Sequence, residues 1–355
     1  MRRCEISILK AIGIILMVVG HSGCPEQLRA AIYQFHMPLF FIASGMCLKE
    51  THINNINGFI VKKVKGVWWP YVKYGTIFLL LHNFFFKLDI YNSSYGYLDD
   101  VSYLYTTKDF LWNFTKVIRM TGQEQLIGGF WFLHALFWGQ IIAVLSLFFV
   151  KNKFCVLLLM IVSSLLMSYF NIDIPIIYIS SVTFLAASFF VIGYIFKSIK
   201  ITNYILLIFF PSIILGIKYG ADGMYISNVV YIIPYIIVAT LCTLAVYKVS
   251  KSLSYNETLS KYLAYIGDNS LQVLIWHFLS FKLISLVIIK FYDLPIAYLA
   301  KFPVIQDYSV QGWWVAYSLV GLAVPLVIHR ALMCCRILIF NLFVYSKAHL
   351  SNRWI

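Results

Sequence analysis

The sequence predicts an all-α membrane protein of about ten transmembrane helices, folded as a single domain over 1–355 with both termini cytoplasmic. Three observations carry this. Apolar residues make up 61% of the 355 positions and charged residues only 12%, with a mean hydropathy of +0.82, outside the range of soluble globular chains. The apolar residues gather into runs close to the roughly 20 residues that a helix needs to cross a bilayer core about 30 Å thick. Lysine and arginine fall mostly at the ends of these runs, and the connections on the N-terminal side of the membrane hold roughly twice as many as the opposite ones, which orients the chain.

The runs lie at 6–23, 28–48, 67–87, 128–150, 154–170, 175–196, 203–219, 228–249, 270–290 and 312–333. The first contains "KAIGIILMVVGHSG", with Lys10 and His21 eleven residues apart. At 100° per residue this separation is about three turns plus 20°, so the two side chains share one helix face, about 16 Å apart along the axis. Alone, Lys10 reads equally as a snorkelling anchor and His21 as an interhelical hydrogen-bonding group. Arg2 and Arg3 before the run and Cys24 after it resemble a secretory signal, but His21 stands where lipoprotein processing needs a small or apolar residue. An uncleaved first helix is expected.

The second run contains "YQFHMPLFFIASG". His36 falls in its outer half at about the depth of His21, and Pro38 frees backbone carbonyls beside it. Two imidazoles, His21 and His36, at similar depth on adjacent helices make a candidate catalytic centre, with one as base and the other as orienter or hydrogen-bond donor. Without a nearby carboxylate they fall short of a zinc set, so no metal is expected. Ser44, further along, is a candidate substrate-binding residue. Beyond this run, "FIVKKVKGVWWPY" crowds Lys62, Lys63 and Lys65 at the cytoplasmic end. Such a cluster suits lipid headgroups and topology or the phosphates of a nucleotide-bearing ligand, and spacing does not choose between them.

The longest connection, 88–127, is expected outside. It carries Asp89, Asp99, Asp100, Asp109 and Glu124 among Tyr91, Tyr95, Tyr97, Tyr103, Tyr105 and Trp112, a composition suited to stacking on sugar rings or to the aromatic belt of the interface. The fourth run, with "GGFWFLHALFWG", contributes Trp131 as a candidate substrate contact and His134; the ninth, with "GDNSLQVLIWHFL", contributes His277. Singly, both histidines read as interhelical hydrogen-bonding groups. The remaining runs rest on apolar length alone. Seven cysteines include no CxxC pair and mostly sit within apolar runs, so neither a zinc site nor a disulfide framework is expected. The net charge of +14 lies at segment ends, as membrane topology requires, and indicates no nucleic-acid partner.

Taken together, "LKAIGIILMVVGHS" (9–22), "FHMPLFFIASG" (35–45), "VKKVKGVWWPY" (61–71), "WFLHALF" (131–137) and "IGDNSLQVLIWH" (266–277) resemble acyltransferase family 3, and more narrowly its fucose 4-O-acetylase-like branch. The resemblance implies a roughly ten-helix enzyme of the cell inner membrane that moves an acyl group, usually acetyl, from acyl-CoA to a glycan hydroxyl. The family's basic residue and histidine with ten residues between them look matched by Lys10 and His21. Its basic pair after the second helix is similar to Lys62 and Lys65. Many relatives carry a glutamate where this chain has "WFLHALFWGQ", so no acidic partner for His21 carries over. The expected mechanism has His21 as general base, His36 or Trp131 positioning the carbonyl, and Lys10, Lys62, Lys63 and Lys65 holding acetyl-CoA. A secondary transporter or flippase for a glycan or its precursor is the alternative, since intramembrane histidines and lysines also build proton relays.

Overall fold

In a computed structural model the described residues are 4–96, 101–122, 124–218, 223–226 and 228–351, with side chains described as far as Cys334. Arg2, Arg3, Tyr97, Asp99 and Asp100 lie outside them. The helices in the first half are α1 (Cys4–His21), α2 (Glu26–Tyr33), α3 (His36–Met46), α4 (Glu50–Asn54), α5 (Ile56–Lys63), α6 (Trp69–Lys87), α7 (Thr107–Ile118) and α8 (Trp131–Phe149). Then follow α9 (Lys153–Tyr169), α10 (Ser181–Phe196), α11 (Ile205–Lys218), α12 (Ile232–Leu253), α13 (Glu257–Asp268), α14 (Ser270–Phe291), the single turn α15 (Gln306–Tyr308) and α16 (Trp314–Ser351). Among the described residues there is no strand, only an isolated bridge between Ile174 and Ile179.

Among the described residues five stretches are long and apolar enough to cross a membrane: Cys4–His21, Gln125–Phe149, Val229–Leu253, Ser270–Phe291 and Gln306–Cys334. Lys153–Tyr169, Ser181–Phe196 and Ile205–Lys218 are shorter apolar helices, and α6 occupies the third expected run. The second expected run, 28–48, is not one helix. It breaks between Tyr33 and His36, where Phe35 takes φ −150° and ψ −15°. Pro38 supplies the reason: in a continuous helix its ring would collide with the carbonyl four residues back, that of Gln34.

The connection 88–127 also departs from the expected surface loop. Its Phe110, Phe114 and Val117 recur at helical spacing and turn inward, while Leu111 and Trp112 are exposed, so α7 lies against α6. The two run antiparallel: Asn83 exchanges hydrogen bonds with the Tyr105 backbone at 2.8 and 3.0 Å, and Trp68 Nε1 donates to the Ile118 carbonyl at 3.0 Å.

Helix α1 occupies the centre, touching α2, α3, α12, α13, α14 and α16. Without a hydrophobic driving force between helices in lipid, close backbone approach at small residues must supply the packing. Two crossings show it. Gly45 of α3 lies against the Phe190 carbonyl of α10 and Gly193 of α10 against the Ile42 carbonyl of α3; Gly267 of α13 meets the Ser7 carbonyl of α1. A Cβ at any of the three would overlap backbone.

Candidate active site

The last residue of α1, His21, meets α14. Its Nδ1 is 3.2 Å from Nε2 of His277, and the rings lie 5.4 Å apart at 20°. His277 is fully buried, and its Nδ1 is 3.0 Å from the carbonyl oxygens of both Val273 and Leu274. A carbonyl can only accept, so Nδ1 of His277 carries a proton. In the neutral ring Nε2 is then a lone pair, which accepts from Nδ1–H of His21. This assigns the lone pair of His21 to Nε2, which forms no hydrogen bond among the described residues. Phe278 stacks beside both rings, 5.0 Å from His21 and 3.9 Å from His277.

His36 is buried, but its Nδ1 bonds the Ile32 carbonyl of the preceding turn at 2.9 Å. The Tyr33 ring lies 4.9 Å from His36 and 6.4 Å from His21. Among the described residues no hydrogen bond joins His21 to His36; the imidazole that touches His21 is His277.

Two cavities lie along α1. One, of about 840 Å³, is lined by Ser7, Lys10, Ile14, Met17, Phe40, Ser44, Lys49, Leu133, Lys197, Asp268 and Leu274. The other, of about 800 Å³, is lined by Gly20, His21, Cys24, Glu26, Arg29, Tyr33, Gln125, Trp131, Phe278 and Phe302. Three helices wall both: Met17 and Gly20 on α1, Leu133 and Trp131 on α8, Leu274 and Phe278 on α14. Along α1 and α14 these pairs are three or four residues apart, about 5 Å of rise, so the two linings approach within about a turn of each other on these helices, near His21. On α1 the polar lining of the first cavity, Ser7 and Lys10, is at the far end, and Ile14 and Met17 form the approach to the histidine. Ser7 Oγ donates to Asp268 at 2.7 Å across that far end.

The shared face read from the sequence therefore spans two chambers: Lys10 belongs to one and His21 to the other. Ser44 faces the Lys10 chamber and Trp131 the His21 chamber, with Tyr225 edge-on to the indole at 5.0 Å. Lys62, Lys63 and Lys65 line neither. Lys62 and Lys65 are exposed, while Lys63 lies 4.9 Å over the Phe59 ring, and burial, with Lys62 beside it, pushes its ammonium down to about 8. The cations in the chamber besides Lys10 are Lys49 and Lys197. Lys197 Nζ donates to the Leu48 carbonyl at 3.0 Å and faces Glu50 at 3.7 Å.

His134 bonds the Ile177 carbonyl at 2.7 Å, tying α8 to the turn between α9 and α10 rather than to a second helix. A buried pair, His82 Nδ1 and Glu124 Oε2 at 3.0 Å, was not legible as a pair; it holds the chain just before Gln125, which lines the His21 chamber. Among the described residues no three His, Cys, Asp or Glu side chains converge on a metal-sized site.

The chain matches no curated protein and no solved structure. A family model described as an acyltransferase domain, Acyl_transf_3, matches residues 5–330. An all-helical body with several membrane-length apolar helices, built around a histidine between two chambers, accords with that match: the chain belongs to this family of membrane acyltransferases.

Proposed function

We propose that the protein transfers an acyl group, acetyl in the simplest case, from acyl-CoA to a hydroxyl of a cell-surface or lipid-linked glycan, as in the fucose 4-O-acetylase-like branch. In this reading the chain crosses the cell's inner membrane ten times with both termini in the cytoplasm, and the Lys10 chamber opens to that side. The observation that carries the reading is the His21–His277 hydrogen bond, which leaves the lone pair of His21 on Nε2, in one chamber and within about a turn of the lining of the other.

The donor enters the Lys10 chamber. Lys10, Lys49 and Lys197 take its phosphates, with Lys62, Lys63 and Lys65 adding positive potential outside. The uncharged pantetheine arm runs past Ile14, Phe40 and Met17 to bring the thioester beside His21. The apolar lining there favours acetyl over a charged chain such as succinyl. The acceptor enters the His21 chamber, where Trp131 offers a stacking face. His21 Nε2 takes the hydroxyl proton as the oxygen bonds to the carbonyl carbon, the carbon–sulfur bond breaks, and the imidazolium returns that proton to the departing thiolate. His277 keeps His21 in the reactive tautomer, and His36 supports Tyr33 at the chamber wall.

A His21→Ala protein should insert normally and transfer no label from acetyl-CoA to envelope glycan; normal product would overturn the proposal. Lys10→Met should raise the donor requirement, and an unchanged requirement would leave Lys10 an anchor. Chambers at both ends of α1 would also suit a transporter or flippase for a glycan precursor. Detergent-purified protein separates the two, because transport modifies nothing.

A further inference from the structure

Helix α14 carries a second buried ionisable group, five residues beyond His277, that the reaction above does not use. Lys282 is 3% exposed. Its ammonium donates to the carbonyl oxygens of Leu299 and Lys301, both at 2.8 Å, and lies 6.0 Å from the Phe302 ring. Among the described residues no carboxylate pairs with it. An ammonium held at membrane depth by carbonyls alone is expensive, and an apolar side chain of similar length would fill the space without that cost. Stability does not account for a lysine here.

What the ammonium grips is the segment 296–309. Phe302, Pro303 and Gln306 of this strap wall the His21 chamber. The Phe302 ring packs 4.6 Å from Phe278, the ring that stacks on His21. Further along, the Ser309 hydroxyl donates to the Ser22 carbonyl, next to His21. Gly23, with φ +74°, lets Ser309 and Val304 close onto that turn, where any Cβ would strike both. Helix α14 therefore reaches His21 twice: directly through His277, and round the far side through Lys282, the strap and Ser22.

The geometry points to Lys282 as a positioning residue of the acceptor side: by pinning the strap it closes the wall of the His21 chamber and holds the end of α1, leaving the donor chamber untouched. The kinetic half of this rests on the acyl-transfer reading; the structural half does not.

Cys24, 2% exposed and lining the same chamber, reports the strap without any reaction. In a protein whose other cysteines are serine, Lys282→Met should speed maleimide labelling of Cys24 at least tenfold, while Lys282→Arg, which keeps the donors, should stay within threefold. With acetyl-CoA and envelope glycan extracted from cells lacking the protein, Lys282→Met should raise the acceptor KM at least tenfold and leave the donor KM unchanged. Unchanged Cys24 labelling, or donor and acceptor KM rising together, would overturn the assignment. If Lys282→Met does not accumulate, Lys282→Gln, whose amide can still donate to one of the two carbonyls, decides by the same two readouts. A wild-type protein that transfers nothing while Cys24 responds as stated would remove the acyl-transfer reading and leave the strap.

Discussion

Replacing His277 by leucine tests the assignment of the reactive nitrogen. The substitution removes the acceptor of His21 Nδ1–H and fills most of the space of a ring that is fully buried. Removing one partner so that the N–H goes unpaired costs about 1–3 kcal/mol. The proton can escape that cost by moving to Nε2, which abolishes the base in that fraction of molecules. A preference of about 1–3 kcal/mol for the wrong tautomer corresponds to roughly a 5- to 150-fold fall in kcat. His277→Gln, whose amide oxygen can accept the same hydrogen, should recover much of the loss. The assay is transfer of labelled acetyl from acetyl-CoA by purified protein at saturating donor, with the donor KM as control, since His277 lines neither chamber. A leucine variant with kcat within threefold of wild type would refute the relay.

Gly45→Leu should fail to assemble or lose several degrees of Tm in detergent, because the added atoms meet the Phe190 carbonyl and overpacking against backbone costs at least about 1–3 kcal/mol; an unchanged Tm would show that α3 and α10 can separate freely. Glu124→Leu removes the partner of the buried His82 Nδ1 while Nε2 keeps the Tyr103 carbonyl, a loss of about 1–3 kcal/mol, and should lower Tm by at least about 2 °C. An unaltered melting curve would remove that pair from the fold's supports. Lys63, held down to about 8 by burial and Lys62, is mostly neutral at pH 8.5 and should be acylated by an amine reagent ahead of the exposed lysines there. Its own rate should fall as pH drops through about 8 while its lead over ordinary lysines persists, since their neutral fraction is smaller still; equal labelling at pH 8.5 would contradict its environment.

Much of α1 was legible because its signals are local. An apolar run fixes the helix, and an eleven-residue spacing fixes the shared face of Lys10 and His21 whatever surrounds them. His277 was visible as a residue but not as the partner, since its meeting with His21 depends on the register of α14 against α1, which no local pattern encodes. The break after Tyr33 was hidden inside a continuous apolar run, although Pro38 points to the carbonyl it displaces. The lysine triplet drew attention by its density, whereas Lys49 and Lys197 reach the Lys10 chamber only because Gly45 and Gly193 let α3 and α10 cross closely. Helix α7 went unread because its inward face is only three residues, Phe110, Phe114 and Val117, among polar neighbours.

The chain of hydrogen bonds from His21 ends on the carbonyls of Val273 and Leu274 and holds no formal charge at any link. A carboxylate in the place of His277 would grip a transient imidazolium more firmly, but it would have to remain ionised at hydrocarbon depth, at several kcal/mol of desolvation. With a neutral partner the histidine pair itself needs no counter-ion in lipid. In the proposed reaction, a proton taken up by His21 would then be weakly held and would pass readily to the departing sulfur. The His21–His277 pair is thus uncharged at rest, and the charged side chains that line its chamber, Arg29 and Glu26, face each other at 4.0 Å, so a transmembrane voltage finds no resting charge on the pair itself.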